Sequence, residues 1–203
     1  MNTNTLNRLK QLIERSHRPL LTAHIRLDGD ALGSELALYY ALRDMGKDPV
    51  IINDSPIPRV YKFLVREANV RVFNPESTTP DSAGGFDLVI SVDTPAKERL
   101  GGVRQLFSDS TPIISIDHHL CNGDFGIVNW VDTSKCSTGE MVYEFLRSAG
   151  CKITPRIAEA LYVAIVTDTG RFTNPNTSSE TLRVAAQLVD CGADPTEIGN
   201  HLY

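Results

Sequence analysis

The stretch Ile113-Ile114-Ser115-Ile116-Asp117-His118-His119 decides the fold. After Pro112, its first four residues form a short apolar run of the kind buried on both faces of a parallel sheet. A carboxylate and two imidazoles follow at the strand's C-terminal edge. A second run, Pro19-Leu20-Leu21-Thr22-Ala23, leads into His24-Ile25-Arg26-Leu27-Asp28-Gly29-Asp30-Ala31-Leu32-Gly33-Ser34 and delivers one imidazole and two carboxylates to another strand end. Packing does not ask for such groups at two strand ends. Metal binding does.

Apolar runs of strand length recur at Leu20 to Ala23, Pro49 to Ile52, Leu88 to Val92, Ile113 to Ile116 and Ile127 to Val131, with helical patterns between several of them. This predicts an α/β fold, a doubly wound, mainly parallel five-stranded sheet flanked by helices. Past Asp30, the positions Leu32, Leu36, Tyr39, Tyr40 and Met45 follow helical spacing, and Gly46 is placed to end a crossover helix. The C-terminal third reads as four helices. Ser137-Thr138-Gly139-Glu140 and Thr177-Ser178-Ser179-Glu180 have the form of capping boxes, while Thr154-Pro155 and Asp194-Pro195 place proline at a first helical position. The polar stretch Asn74 to Gly85 reads as a surface loop. Ile198 to Tyr203 carry no helix-ending signal, as in a chain cut short.

The 203 residues suffice for one substantial core, and 41% hydrophobic with 22% charged content describes an ordinary globular domain spanning 1–203. No apolar stretch reaches membrane-spanning length, and Met1 to Arg8 lack the basic start and apolar core of a signal peptide; a cytoplasmic protein without a membrane partner is expected. Cys121, Cys136, Cys151 and Cys191 form no CxxC pair, which argues against a zinc ribbon or disulfide framework. Cys121, two residues past His119, reads as a small hydrophobe in a loop. His17 and His201 sit in polar surroundings and read as solvent-facing.

Two more strand or helix ends carry Asp. Leu88-Val89-Ile90-Ser91-Val92 runs into Asp93, and the apolar helix Ala158 to Val166 runs into Thr167-Asp168-Thr169-Gly170. Taken singly, either Asp is a turn or helix cap. Ligands bind beyond the carboxyl ends of parallel strands, however, so the groups would converge there. Oxygen donors with a minority of imidazoles suit Mn²⁺ or Mg²⁺ better than a thiolate-rich zinc site. Gly29 would let the chain turn tightly enough for Asp28 and Asp30 to serve two adjacent ions. The net charge of −5 fits this picture. If Asp28, Asp30, Asp93 and Asp168 face two divalent cations, the rest of the chain is nearly neutral, which disfavours a basic groove for long duplexes and leaves small anionic substrates. Gly33-Ser34 either ease close packing or offer amides to a phosphate, and Arg26, Arg99 and Arg171 either grip phosphate or face solvent. The first βα turn has no GxGxxG, which counts against a dinucleotide-cofactor domain.

His24-x-x-x-Asp28-Gly29-Asp30-Ala31-x-Gly33-Ser34, Asp93, Asp117-His118-His119 and Thr167-Asp168-Thr169-Gly170 together resemble, in order, the four motifs of DHH phosphoesterases. Within them the chain is most similar to the nanoRNase branch, with RecJ-like exonucleases, family II pyrophosphatases and cyclic dinucleotide phosphodiesterases as more distant relatives. The resemblance implies hydrolysis of short oligoribonucleotides to 5′-mononucleotides, or removal of the 3′-phosphate of 3′-phosphoadenosine 5′-phosphate. It implies two metal ions, manganese first and magnesium as the alternative. His24 and Asp28 would hold one, Asp30, His118 and Asp168 the other, with Asp93 between them. His119 would act on the substrate phosphate, with Asp117 orienting it; Ser34 and Arg171 would contact substrate. Members of that branch carry a second, substrate-gripping domain whose Gly-rich, His-containing motif is absent here, so the resemblance implies either a truncated chain or one that lacks that lid, of weak turnover in both cases, with a homodimer left open. Two other functions are kept: a phosphoanhydride hydrolase of pyrophosphatase or exopolyphosphatase type, or a cyclic dinucleotide phosphodiesterase; and a non-catalytic metal- or nucleotide-binding module.

Overall fold

Every strand of the sheet runs parallel, in the order β3-β2-β1-β4-β5-β6. The computed structural model describes residues 3–79, 85–120 and 123–203. The strands are β1 (Pro19–Thr22), β2 (Val50–Asn53), β3 (Val70–Val72), β4 (Leu88–Val92), β5 (Ile113–Asp117) and β6 (Val128–Val131). The five runs read from the sequence become five of these strands. β3 is an addition, for a physical reason: Val70-Arg71-Val72 is three residues long, lies on the sheet edge against β2 alone and is only half buried. A strand with one neighbour and no buried face leaves little apolar signature.

The helices are α1 (Thr3–Arg15), α2 (Gly29–Asp44), α3 (Thr138–Ser148), α4 (Pro155–Asp168), α5 (Ser179–Asp190) and α6 (Pro195–Leu202). Leu9 and Ile13 of α1 are buried in the main core, and Leu6 and Leu12 pack against it, an amphipathic helical stripe. The four C-terminal helices form as expected, with both capping boxes corrected: Ser137 Oγ accepts from the Glu140 amide, but Glu140 accepts from Cys136 N and not from Ser137 N. The second capping box belongs to Ser178 and Thr181, whose side chains satisfy each other's amides, not to Thr177 and Glu180. Gly46 follows α2 in the left-handed conformation, at φ +78°, as a helix-ending glycine should.

Alternation along the strands splits the core. Leu21, Ile51, Ile90 and Ile114 join the large cluster under α1, α2, α3 and α4; Leu20, Ile52, Val89 and Ile113 face a smaller one closed by Phe73, Val103 and Leu106. The second face is thus covered by the 3-10 segment Lys97–Leu106. α2 is nearly enveloped, buried from Gly29 through Leu38, with α4 packed closely along it. That contact is close: a Cβ at Gly33 would lie 2.4 Å from the Ala160 carbonyl oxygen, and one at Gly29 2.4 Å from Thr167 Oγ1. Gly29 therefore admits a neighbouring helix; it does not supply the turn freedom expected of it. Among the described residues no helix is long and apolar enough to cross a membrane.

Candidate metal centre

In the order 3-2-1-4-5-6 the chain reverses direction of build between β1 and β4, and ligands of open parallel sheets bind in the crevice at that point. Both flanking strands end in candidate ligands. His24 lies two residues past β1; Asp28 caps α2, its Oδ1 accepting from the Ala31 amide at 2.9 Å; Asp30 occupies the first turn. Asp93 follows β4 directly. Asp117 closes β5, ahead of His118 and His119, and Asp168 is the last residue of α4. Asp93 adopts φ +52°, a left-handed conformation that costs a non-glycine residue about 1 kcal/mol or more. Its amide donates to Ile116 O at 2.9 Å, which ties the strained turn to β5.

The side chains from these ends form two groups that meet at one carboxylate. His24 Nε2 stands 3.5 Å from Asp28 Oδ2 and 3.4 Å from Asp93 Oδ2. His118 Nε2 stands 3.6 Å from Asp30 Oδ2, 3.6 Å from Asp93 Oδ1 and 3.7 Å from Asp168 Oδ2. The donor atoms of His24, Asp28 and Asp93 lie within 4.8 Å of one another, as do those of Asp30, His118 and Asp168 and those of Asp93, His118 and His119. Asp93 thus turns one oxygen to each group. His119 Nδ1 lies 2.7 Å from Asp117 Oδ1 and 3.6 Å from Asp93 Oδ1.

The imidazoles are turned to present lone pairs. His24 Nδ1 is 2.6 Å from Ile25 O, and since a carbonyl only accepts, that nitrogen carries the proton and Nε2 faces the carboxylates. The Arg99 guanidinium, 3.5 Å from the same nitrogen, has no lone pair left to receive it. His118 Nδ1 faces Lys135 O in the same sense, at 3.4 Å.

Asp30 is fully buried on the N-terminus of α3. Thr138 N donates to its Oδ2 at 2.7 Å and Gly139 N to its Oδ1 at 2.8 Å, the use of a helix start as an anion cradle. Ser34 Oγ adds a bond at 3.2 Å, and Thr138 Oγ1 donates to Asp93 Oδ1 at 3.1 Å. Even so, burial and then the charges of Asp93 and Asp168 push the Asp30 carboxyl well above the usual carboxylate range. Burial, opposed by His118 and reinforced by Asp93 and Asp28, raises Asp168 to about 6. Burial works against a charged His24, yet hydrogen bonds to Asp28 and Asp93 outweigh it and lift the ring to about 10. Asp28 is held low: burial opposes this, but His24 and backbone amides prevail. Asp30 and Asp168, pushed toward keeping their protons, and Asp28, held low by the His24 imidazolium, mark a site short of positive charge. A divalent cation would take the place of those protons, and the donor set of carboxylate oxygens and imidazole nitrogens fits one.

His119 is the exception, 43% exposed at its side chain. The hydrogen bond to Asp117 raises its pKa against the opposing effect of burial. Two expected substrate contacts are not brought to this cluster in the same way. Ser34 is fully buried with its hydroxyl on Asp30, which leaves no surface for substrate, and Gly33 is used in packing. Arg171, at φ +63°, stacks its guanidinium over the Tyr203 ring at 4.2 Å. Cys121 lies outside the described residues; Cys136, Cys151 and Cys191 are free thiols. Sequence reasoning missed Thr138 and Gly139, although the capping box that starts α3 marked free amides there. It also missed Asn176, whose Nδ2 donates to Asp168 Oδ2 at 3.3 Å and to Cys136 O at 2.9 Å; nothing local signals that contact.

Residues 19–165 match the DHH family, N-terminal domain. The chain belongs to the DHH family. The match spans five of the six candidate ligands, and Asp168 follows it by three residues. The chain is 35% identical, over 90% of its length, to the bifunctional oligoribonuclease and PAP phosphatase NrnA of Thermus thermophilus, and 35% identical over 91% to that of Bacillus subtilis. It spans 52% and 56% of those proteins, about half their length. An exopolyphosphatase-related protein from Bacteroides fragilis superposes with a TM-score of 0.91 over 98% of this chain and 60% of its own, at 24% identity, which speaks to the fold alone.

Proposed function

We propose that this chain is the metal-binding portion of a phosphoesterase that hydrolyses short oligoribonucleotides to 5′-mononucleotides, or 3′-phosphoadenosine 5′-phosphate to its 5′-nucleotide, with two manganese ions. The observation that carries the reading is Asp93, whose Oδ2 faces His24 and whose Oδ1 faces His118. His24 and Asp28 would complete one ion's protein ligands; Asp30, His118 and Asp168 would complete the other's. Two such ions supply Lewis acidity to a phosphoryl group and acidify water. The chain's own residues do the remainder. Asp117, fully buried, accepts from His119 Nδ1 and so keeps the imidazole protonated there, with the opposite nitrogen turned outward. A raised His119 suits donation of a hydrogen bond or a proton to a phosphate or leaving oxygen. Asp30 and His118 are held by backbone groups, which fixes the site before substrate arrives.

The family and the NrnA relatives support the substrate class; the shared metal arrangement alone serves a phosphoanhydride equally well. A substrate panel with Mn²⁺ tests it. Mononucleotides released from a diribonucleotide, with no phosphate released from polyphosphate or pyrophosphate, are expected. The reverse pattern would overturn the substrate assignment, and ion binding without hydrolysis of any of them, in a chain extended to the length of its relatives, would overturn the enzymatic one.

A further inference from the structure

We propose that Glu140 is a positioning residue for one ion of the pair, the one assigned to Asp30, His118 and Asp168; the inference rests on the two-ion reading above. Glu140 sits in the first turn of α3, nearly fully buried. Its Oε1 accepts from Lys135 Nζ at 3.2 Å, and its Oε2 from the Cys136 amide at 3.2 Å and from Thr181 Oγ1 at 3.1 Å. Lys135 Nζ also reaches Glu144. A capping-box glutamate ordinarily reaches back to the amide of the cap residue. Here it reaches one residue further, to Cys136, and clamps the whole loop 135–139.

That loop serves three ligands of one group. Lys135 O faces His118 Nδ1, and the amides of Thr138 and Gly139 hold Asp30. Cys136 O holds Asn176, which donates to the Asp168 carboxylate. His24 and Asp28 rest on other backbone, Ile25 O and Ala31 N. Asp93, shared by both groups, meets the loop only through Thr138 Oγ1. The partly buried Lys135–Glu140 ion pair adds little net stability, and the geometry is fixed by the two hydrogen bonds on Oε2, from Cys136 N and Thr181 Oγ1. Thr181 extends the clamp to α5, making the ion site depend on a helix that contributes no ligand.

Calorimetric titration of Mn²⁺ into the chain and its variants tests this without recourse to activity. The chain itself should take up two ions. Glu140→Ala should weaken one about 10- to 100-fold, the usual effect of removing a ligand's support, and leave the other within about threefold. Glu140→Gln keeps an oxygen for Cys136 N and Thr181 and should restore tight binding. Thr181→Val, which deletes one donor and serves if Glu140→Ala does not fold, should weaken the same ion by a smaller factor. In Asp168→Ala, where that ion is already lost, adding Glu140→Ala should not change the one remaining. Equal weakening of both ions, no weakening, or failure of Glu140→Gln to rescue would overturn the inference. A parent chain that takes up no pair of ions would instead overturn the two-ion reading itself.

Discussion

The two halves of the centre are built differently. His24 and Asp28 come from one five-residue turn, meet across 3.5 Å, and leave Asp28 more than half exposed. Asp30, His118 and Asp168 come from a helix start, a strand end and a helix end, and Asp30 is sealed beneath the N-terminus of α3. The local half neutralises itself, because His24, with its pKa raised to about 10, lends charge to Asp28 and Asp93. The assembled half cannot; its carboxyls are pushed up by burial and by one another. One half is held by sequence neighbours and the other by the whole tertiary structure, with Asp93 bridging the two.

The largest expected effect comes from breaking that bridge. Asp93→Ala removes an oxygen from both groups, and losing several kcal/mol of transition-state stabilisation lowers kcat/KM about 10³-fold. Steady-state kinetics with a diribonucleotide measures it, and calorimetry should show both ions weakened. His119→Ala should lower kcat about 10²-fold while both ions still bind: His119 stands within 4.8 Å of His118 and Asp93, but its Nδ1 is engaged by Asp117 and its side chain is 43% exposed. Loss of an ion in that variant would place His119 among the ligands.

The same contrast explains what could be read from the chain. Ile113 to Ile116 and Leu88 to Val92 were legible because strands buried on both faces become continuous apolar runs. The local half was legible in the spacing of His24 and Asp28. The support of the assembled half was not: Thr138 and Gly139 lie more than a hundred residues from Asp30, and Asn176 reaches Asp168 through a turn with no signature of its own. Ser34 was misread for the same reason. Its position beside the motif suggested substrate, whereas the packing of α2 points it at Asp30.

A smaller effect sharpens the comparison from behind the local half. Glu35 is fully buried on α2, where its Oε2 accepts from Asn53 Nδ2 at 2.8 Å, and Asn53 Oδ1 accepts from the Ala23 amide next to His24. Burial, opposed by Asn53, raises Glu35 from 4.5 to about 8. The folded state therefore binds this proton more tightly than the unfolded state, so stability from Glu35 is full below pH 4.5 and is lost as pH rises through about 8. Glu35→Gln should gain on the parent by on the order of a few kcal/mol between pH 5 and pH 8.5 in chelator-containing urea melts. Parallel curves would contradict the shift. The smallest change is Ser34→Ala, which deletes one hydrogen bond to Asp30 and should cost about 1 kcal/mol, seen as a less than tenfold weakening of the assembled half's ion in a Mn²⁺ titration.

Anomalous scattering from crystals soaked in Mn²⁺ tests the bridge itself. Two peaks about 4 Å apart are expected, one beside His24 and Asp28, the other beside Asp30, His118 and Asp168, each contacting a different oxygen of Asp93. A single peak, or two peaks that do not share Asp93, would contradict the account.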